Sequence, residues 1–401
     1  MTSRRGVRVW RLVPLVVLLP AIASLATAWY ISGEIDNGAL RPPLSGEGVV
    51  YRDAIVSAVD DSTVTLDLHD NASRTARPGT WGARWRGGYG RLGAILGVRG
   101  NEIRREFSLI RGRLAPGTSI GADAFAYSGT PRTCLGLPYR EVRLSTELGA
   151  FPAWVVPGSK TTWVLFVHGK GATREEALRA MEIAAPMGFP CMAITYENDL
   201  DAVKSVDGRY HYGQSEWKEL DEAAAYALGH GASDLILAGY SAGGAIAIHF
   251  MARSDRAASV RGLILEAPCL RLGSALDYGL SRFKLPVVGA PPPHFIRSLA
   301  KRIAEFRYGL RWSEFDAFRD ARAISVPVLL LHGEEDPVIP IGSSDEWARS
   351  RADIRYARFP RAGHVECWNV DPTRYRALLE GFLTSLTRDQ PLRPRRRRSF
   401  G

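Results

Sequence analysis

The sequence predicts an α/β fold. It reads as a mostly parallel sheet with helices on both faces, preceded by a transmembrane helix and a small β-rich extension. Three observations carry this. An uncharged run of twenty residues, Leu12 to Ile31, lies near the N-terminus. Residues 34–138 are rich in Gly, Pro and Arg, with short β-like pieces. From Tyr139 onward, apolar strand-like runs alternate with helical stretches, the pattern of a parallel sheet buried on both faces. The expected organisation is an anchor over 1–33, an extension over 34–138, a main domain over 139–387 and a basic tail over 388–401.

The first segment reads as a membrane span. Twenty residues at 1.5 Å rise cover about 30 Å, the hydrocarbon thickness of a bilayer. Pro14 and Pro20 would break a short soluble helix but are tolerated in a span. Trp29 and Tyr30 sit where an interfacial aromatic belt belongs. Arg4, Arg5, Arg8 and Arg11 precede the run, and Glu34 and Asp36 follow it. The positive-inside rule therefore keeps the N-terminus cytoplasmic and sends the rest across. The expected location is a single-pass position in the cell membrane with an extracytoplasmic main domain. The alternative is a secreted protein, released by cleavage at the A-x-A sequence Ala26-Thr27-Ala28.

The charge distribution argues against a nucleic-acid-binding body. The chain of 401 residues carries 52 basic and 42 acidic residues, a formal charge of +10. The four arginines above, with Arg393, Arg395, Arg396, Arg397 and Arg398, account for nine of the basic residues; without them the count is 43 against 42. The high charge thus belongs to the two ends, which argues against the basic face on the fold itself that nucleic-acid recognition needs. The C-terminal arginine cluster suits a solvated tail or contact with anionic lipid. A composition of 46% hydrophobic and 23% charged residues excludes intrinsic disorder, collagen and a disulfide scaffold. Cys134, Cys191, Cys269 and Cys367 form no C-x-x-C and no zinc spacing, so no metal is expected.

In the extension, Val49 to Val59 and Thr63 to Leu68 flank Asp60-Asp61-Ser62 and read as a hairpin. Pro78 to Gly100 holds eight glycines and two tryptophans and reads as irregular. Asn71-Ala72-Ser73 is a glycosylation sequon. In the main domain, strands are expected at Val142–Leu144, Ala153–Val156, Trp163–Val167, Cys191–Tyr196, Leu235–Ala238, Leu263–Leu265, Val328–His332 and Arg355–Phe359. Helices are expected at Glu175–Ala185, Ser215–Leu228, Ala242–Arg253 and Tyr375–Leu386. The segment 269–324, between a strand and the acid-bearing strand, stands where a lid would. Within it, Phe295, Ile296, Leu299, Ile303 and Phe306 share one helical face, opposite Arg297, Lys301 and Arg302.

The chemistry begins at Gly239-Tyr240-Ser241-Ala242-Gly243, between a strand and an Ala/Ile-rich helix. That is the setting of a G-x-S-x-G nucleophile elbow, in which a tight turn raises the serine at the sheet edge. The N–H of Ala242 faces the same space from a helix N-terminus. Serine needs a base, and the base an orienter. Asp336 follows the run Leu329-Leu330-Leu331-His332-Gly333, and His364 follows the next strand in Gly363-His364-Val365. Each lies beyond a strand's C-terminal end, where open α/β sheets place their ligands. Phe166-Val167-His168-Gly169-Lys170-Gly171 forms another tight turn, with Lys170 as second oxyanion donor. Glu334 and Glu335 are alternatives to Asp336, which Asp336-Pro337-Val338-Ile339-Pro340 favours. His168 and His332 read as structural; His69, His211, His230, His249 and His294 read as structural or solvated. Cys367 is near His364 only by proximity, and Cys191 reads as core.

In these features the sequence resembles the α/β-hydrolase superfamily. Within it, the chain is similar to the bacterial serine hydrolases of the S33 peptidase-like and Bem46-like groups. Asn198-Asp199 to Tyr212-Gly213, Glu216-Trp217, Gly239 to Gly244, and Ala362-Gly363-His364 to Asp371-Pro372 match a pattern of actinobacterial members. The resemblance covers about 139–387. It implies an α/β-hydrolase fold and a Ser241-His364-Asp336 triad that works without a cofactor. The expected activity is cleavage of a carboxylic ester from a small-molecule or lipid acyl substrate, with the membrane engaged by the N-terminal helix. Amide or peptide hydrolysis and a non-catalytic binding scaffold are the alternatives. An Asp nucleophile is disfavoured because the elbow carries Ser241.

Overall fold

Apolar periodicity and glycine placement together divide the chain into a long helix, a barrel and a large sheet. The computed structural model describes residues 13–43, 53–69, 74–200 and 202–387. The terminal arginine clusters, the sequon Asn71-Ala72-Ser73 and the first residues of the expected Val49–Val59 strand lie outside them.

Helix α1 (Val13–Ile35) continues through one π-helical turn, Asp36–Leu40. It is the one helix among the described residues long and apolar enough to cross a membrane. Leu18, Leu19, Ile22 and Leu25 face outward, while Ala28, Ile31 and Ile35 are buried.

The extension closes into a six-stranded barrel of β1 (Ala54–Val59), β2 (Thr63–Leu68), β3 (Trp81–Trp85), β4 (Gly88–Arg99), β5 (Glu102–Arg111) and β6 (Ser119–Asp123), ordered β1-β2-β5-β4-β3-β6. The expected hairpin is β1–β2, paired antiparallel. The stretch read as irregular is instead β3 and β4. Its glycines are what let the large rings in. A Cβ on Gly88 would come 2.1 Å from the Trp85 ring, and one on Gly90 2.3 Å from the Phe107 ring. Trp81, Trp85, Leu92, Ile103, Phe107 and Ile120 fill the interior. Arg105, fully buried, donates to the carbonyls of Thr75, Arg77, Gly79 and Gly93 at 2.6–3.1 Å. Burial pulls its pKa down to about 10.

After the short helix α2 (Pro131–Leu135) come eight strands: β7 (Arg140–Thr146), β8 (Gly149–Val156), β9 (Thr162–Val167), β10 (Cys191–Ile194), β11 (Asp234–Tyr240), β12 (Val260–Glu266), β13 (Val328–Gly333) and β14 (Ile354–Phe359). Their order is β14-β13-β12-β11-β9-β10-β8-β7. The pairs β7–β8 and β8–β10 are antiparallel and the others parallel. Along β11, Leu235 and Leu237 join one apolar core while Ile236 and Ala238 join the other. That is why this strand reads as an unbroken apolar run.

The helices are α3 (Leu178–Ala184), α4 (Trp217–Gly229), α5 (Ala242–Arg253), α6 (Leu272–Leu280), α7 (His294–Tyr308), α8 (Ala317–Ala321), α9 (Gly342–Ser350), α10 (Cys367–Val370) and α11 (Pro372–Thr387). The amphipathic stretch at 295–306 is α7, but its buried stripe differs from the expected one. Ile296, Ala300 and Ala304 point inward, whereas Phe295 and Phe306 face out. The alanines leave room for a close neighbour, and that neighbour is α1. Arg307 caps the contact: Nη1 donates to Trp29 O and Ser32 Oγ at 3.0 and 2.6 Å, and the guanidinium covers the Trp29 ring at 4.0 Å.

Candidate active site

From β9 the chain steps outward to β10, between β9 and β8, then returns so that β11 lies on the other side of β9. Between β9 and β11 the strand order reverses, and at such a point the loops past the strand ends part to leave a crevice. Ser241 ends β11 and the Gly169-Lys170 turn ends β9, so both open into that crevice.

Ser241 has φ +51°, a left-handed value that a residue with a side chain holds only under constraint. The constraint is the tightness of the turn. A Cβ on Gly239 would lie 2.5 Å from Gly243 O, and one on Gly243 2.1 Å from Val167 O. Any larger residue two before or two after Ser241 would push the turn off the strand. The turn opens α5 at Ala242, whose N–H has no carbonyl of its own helix behind it.

His364 Nε2 lies 2.8 Å from Ser241 Oγ, and His364 Nδ1 lies 2.8 Å from Asp336 Oδ2. Asp336 Oδ1 accepts the N–H groups of Val338 and Ile339 at 2.8 and 2.9 Å, which fixes the carboxylate's plane. Burial by itself would raise the Asp336 pKa. Hydrogen bonds from His332 and His364 outweigh it and hold the carboxyl well below the usual range. Glu334 pairs with Arg358 at 3.1 Å, and Glu335 is exposed.

The neighbouring amides are partly committed. Gly169 N donates to Glu176 Oε2 at 2.7 Å, and Ser241 N donates to Glu266 O at 3.0 Å. Gly169 itself comes close enough that a Cβ there would sit 3.2 Å from Ser241 Cβ. The Lys170 side chain turns the other way, with Nζ donating to Gly38 O at 2.6 Å. Burial lowers the pKa of that ammonium.

His168 is enclosed. Its Nε2 meets Asp199 Oδ2 and its Nδ1 meets Gly169 O, each at 2.9 Å, and its ring stacks on Tyr196. Burial would lower its pKa, but the Asp199 charge raises it on balance. His332 Nδ1 lies 2.8 Å from Ser344 Oγ and its Nε2 3.1 Å from Ile339 O, beneath Asp336. His249 pairs with Asp320 at 3.0 Å. His211 also has partners, Asp207 and Ser215.

One wall of the site was not legible in the sequence. The cavity at Ser241, about 210 Å³, is lined by Gly169, Lys170, Glu176, His364 and Val365, and also by Arg74, Asp123, Ala124 and Phe125. The last four come from the barrel side. The barrel also grips the histidine loop. Arg74 Nε and Arg77 Nη1 reach the buried Glu366 carboxylate at 2.7 and 2.8 Å, and that carboxylate accepts Gly363 N at 2.9 Å. Asn369 Nδ2 donates to Thr80 O and Ala124 O at 2.8 and 2.9 Å. Buried Arg179 completes the joint, with Nη1 donating to Ala124 O, Val365 O and Asn369 Oδ1. The segment 269–324 touches the acid through Tyr278, whose hydroxyl donates to Asp336 O at 3.2 Å.

Known proteins resemble different parts of the chain. The barrel, over residues 55–121, matches a family described as a domain of unknown function. Residues 164–378, over half the chain, match the alpha/beta hydrolase family. The AB hydrolase superfamily protein YisY of Bacillus subtilis (strain 168) is 28% identical over 193 residues, which is 38% of this chain and 71% of that protein. Among solved structures, the Pyrococcus furiosus esterase Pf2001 is similar in fold in two crystal forms. Their TM-scores are 0.51 and 0.52, each at 17% identity, over 65% of this chain and 96% and 94% of theirs. The family match over more than half of its length shows that this chain belongs to the alpha/beta hydrolase family.

Proposed function

We propose that the protein is a serine hydrolase that cleaves carboxylic esters through an acyl-enzyme. The observation that carries this reading is the continuous hydrogen-bond chain from Ser241 through His364 to Asp336. Ser241 Oγ attacks the ester carbonyl while His364 Nε2 takes its proton. Asp336 holds the imidazole in the tautomer that leaves Nε2 free and stabilises the imidazolium. The carbonyl oxygen, now anionic, receives the N–H groups of Lys170 and Ala242, each worth about 3–4 kcal/mol in the transition state. His364 then protonates the leaving alcohol. Water, activated by the same histidine, releases the acid and restores Ser241.

The substrate we assign is a small-molecule or lipid acyl ester met at a membrane. α1 supports this, because it has the length and apolarity of a span and its exit segment reaches the site: Gly38 O accepts Lys170 Nζ. In this reading the protein is of the membrane-anchored S33/Bem46-like type, with 139–387 as catalytic domain outside the cytoplasmic face and 269–324 as its helical cover. A fluorophosphonate probe should label the wild type and leave Ser241→Ala unlabelled. A panel of p-nitrophenyl esters and matched anilides of graded length should show turnover of esters. Turnover of anilides alone would replace the ester reading with amide hydrolysis. Absence of labelling in folded wild type would leave only a scaffold.

A further inference from the structure

Helix α1 ends in a way that leaves its last carbonyls without donors of their own. Its final turn is π-helical, with Arg41 N donating to Asp36 O at 2.9 Å, five residues back. The residues that follow are Pro42 and Pro43. At the same spacing Gly38 O would need the N–H of residue 43, and at α-helical spacing that of residue 42, but proline has no N–H. Ala39 O meets the same obstacle at residue 43. A helix end stripped of donors carries the negative pole of the macrodipole on bare carbonyls.

Partners from elsewhere in the fold close this end. Lys170 Nζ donates to Gly38 O at 2.6 Å, Tyr212 Oη to Ala39 O at 2.8 Å and Tyr210 N to Leu40 O at 2.7 Å. Among the described residues no carboxylate pairs with the Lys170 ammonium, so its charge is set against the helix pole alone. The Pro43 ring lies over the next residue, where a Cβ on Gly171 would meet it at 2.8 Å. The helix end is itself fixed, because buried Asp36 pairs with Arg41 at 2.8 Å and with Arg209. A second route runs beneath the turn. It leads from Leu40 O through Tyr210, whose hydroxyl donates to Asp199 Oδ1 at 3.2 Å, to His168 and Gly169 O. The turn Gly169-Lys170-Gly171 is thereby seated on the end of α1.

We propose that the Lys170 side chain is a positioning group for the oxyanion: by capping α1 at Gly38 O, it fixes the turn whose own N–H receives the substrate's carbonyl oxygen. The inference rests on the serine-hydrolase reading above, which assigns that N–H. The backbone amide and the side chain of Lys170 leave the same Cα. An ammonium tied to the helix pole therefore limits how far the peptide plane can rotate. Oxyanion donors are effective only when they are preorganised. Gly169 and Gly171 flank the donor and add little stiffness of their own, so the turn needs a tie from outside. Ala242 N, the facing donor, is held by β11 and α5; the Lys170 side is held by α1. No local pattern announces the tie, because 132 positions separate Lys170 from Gly38.

The test uses the full-length protein in detergent, a p-nitrophenyl ester as substrate and an alkylboronic acid that forms a tetrahedral adduct on Ser241. Lys170→Met keeps the backbone N–H and the apolar stem but removes the cap. Its kcat should fall by on the order of 10²-fold, the effect of a group misplaced by about 1 Å. KM should stay nearly unchanged. The boronate Ki should rise in step with the fall in kcat, because the oxyanion contact is made in the tetrahedral state and not in the ground state. Lys170→Arg, which keeps a cation at the helix end, should recover most of both. Pro43→Ala, at an exposed position, should shift both in the same direction by less, and it serves if Lys170→Met does not fold. Tyr212→Phe, which frees the neighbouring Ala39 O and removes no bond to the turn, should leave kcat and Ki unchanged. Wild-type kcat and Ki in folded Lys170→Met overturn the positioning role, while fluorophosphonate labelling of wild type keeps the hydrolase reading in place. Equal losses in Lys170→Met and Tyr212→Phe overturn it too, by assigning the effect to the helix end as a whole. A folded wild type that neither takes the probe nor turns over ester overturns both.

Discussion

Arg74 Nε lies 2.7 Å from Glu366 Oε1, two residues beyond His364. The barrel and the candidate base are thereby joined by a buried carboxylate that Arg77 and Gly363 N also engage. His364 stands between two residues with left-handed φ, Arg361 at +63° and Val365 at +55°. Backbone of that kind persists only where its surroundings over-determine it, and here the surroundings are largely the barrel.

Glu366→Ala should therefore cost both stability and turnover. Removing Glu366 leaves two partly exposed arginines but also strands the buried Gly363 N–H, at about 1–3 kcal/mol. Arg74 is 40% exposed, so Arg74→Ala should cost only about 1 kcal/mol. Urea unfolding gives the stability term. As Glu366 positions His364 and does not touch substrate, kcat should fall with KM nearly unchanged, and Glu366→Asp should recover part of the loss. A Glu366→Ala enzyme with wild-type kcat would separate the barrel from the chemistry.

The serine turn predicts a second outcome. A methyl on Gly243 would need the space of Val167 O, 2.1 Å away, which is backbone and has no rotamer to give. Gly243→Ala should destabilise the fold by about 1–3 kcal/mol and reduce fluorophosphonate labelling of Ser241 strongly. Gly342→Ala, at a helical glycine with open space around it, serves as the control and should leave both unchanged.

The helix α1 does more than the sequence suggests. Deleting residues 1–33 should free the protein from membranes. It should also uncover Ile296, Ala300 and Ala304 on α7, which α1 covers. The truncated protein should melt lower than the full chain in detergent and self-associate, seen by light scattering. Arg307→Ala, which removes the contacts to Trp29 and Ser32, should lower the melting point of the full chain in the same direction by a smaller amount. A truncated protein as stable and monodisperse as the full chain would show that the α1–α7 contact contributes nothing.

The sheet was legible because each central strand is buried on both faces, so that runs such as Leu329-Leu330-Leu331 carry no competing helical period. The barrel was not. Gly88 and Gly90 depress strand propensity, and only the rings they accommodate reveal them as strand residues. On α7, Phe295 and Phe306 drew the apolar face toward themselves, while the packing surface is made by Ala300 and Ala304, whose small size is the point. The barrel's grip on the histidine loop links residues 292 positions apart by charge, and no local pattern encodes such a pairing.

The acid of the candidate triad gives the sharpest comparison. Three carboxylates stand in a row, but Glu334 is turned to Arg358, Glu335 is exposed, and only Asp336 faces His364 Nδ1. Asp336→Asn should lower turnover by on the order of 10⁴, because the amide presents a donor where Nδ1–H needs an acceptor. Glu334→Gln and Glu335→Gln should each cost less than about tenfold, the scale of a group outside the reacting constellation. The same residue sets a pH signature on stability. Its carboxyl titrates lower folded than unfolded, so the stability it contributes is fully present above the ordinary carboxylate pKa of about 4. That contribution is lost as pH falls from there toward the depressed folded value. Asn has no such term, so the gap in urea midpoint between wild type and Asp336→Asn should be constant from about pH 5 to 7 and narrow below about pH 4. A gap that widens on acidification would mean that the Asp336 carboxyl is protonated in the native enzyme, and the hydrogen bond to His364 would then have to run the other way.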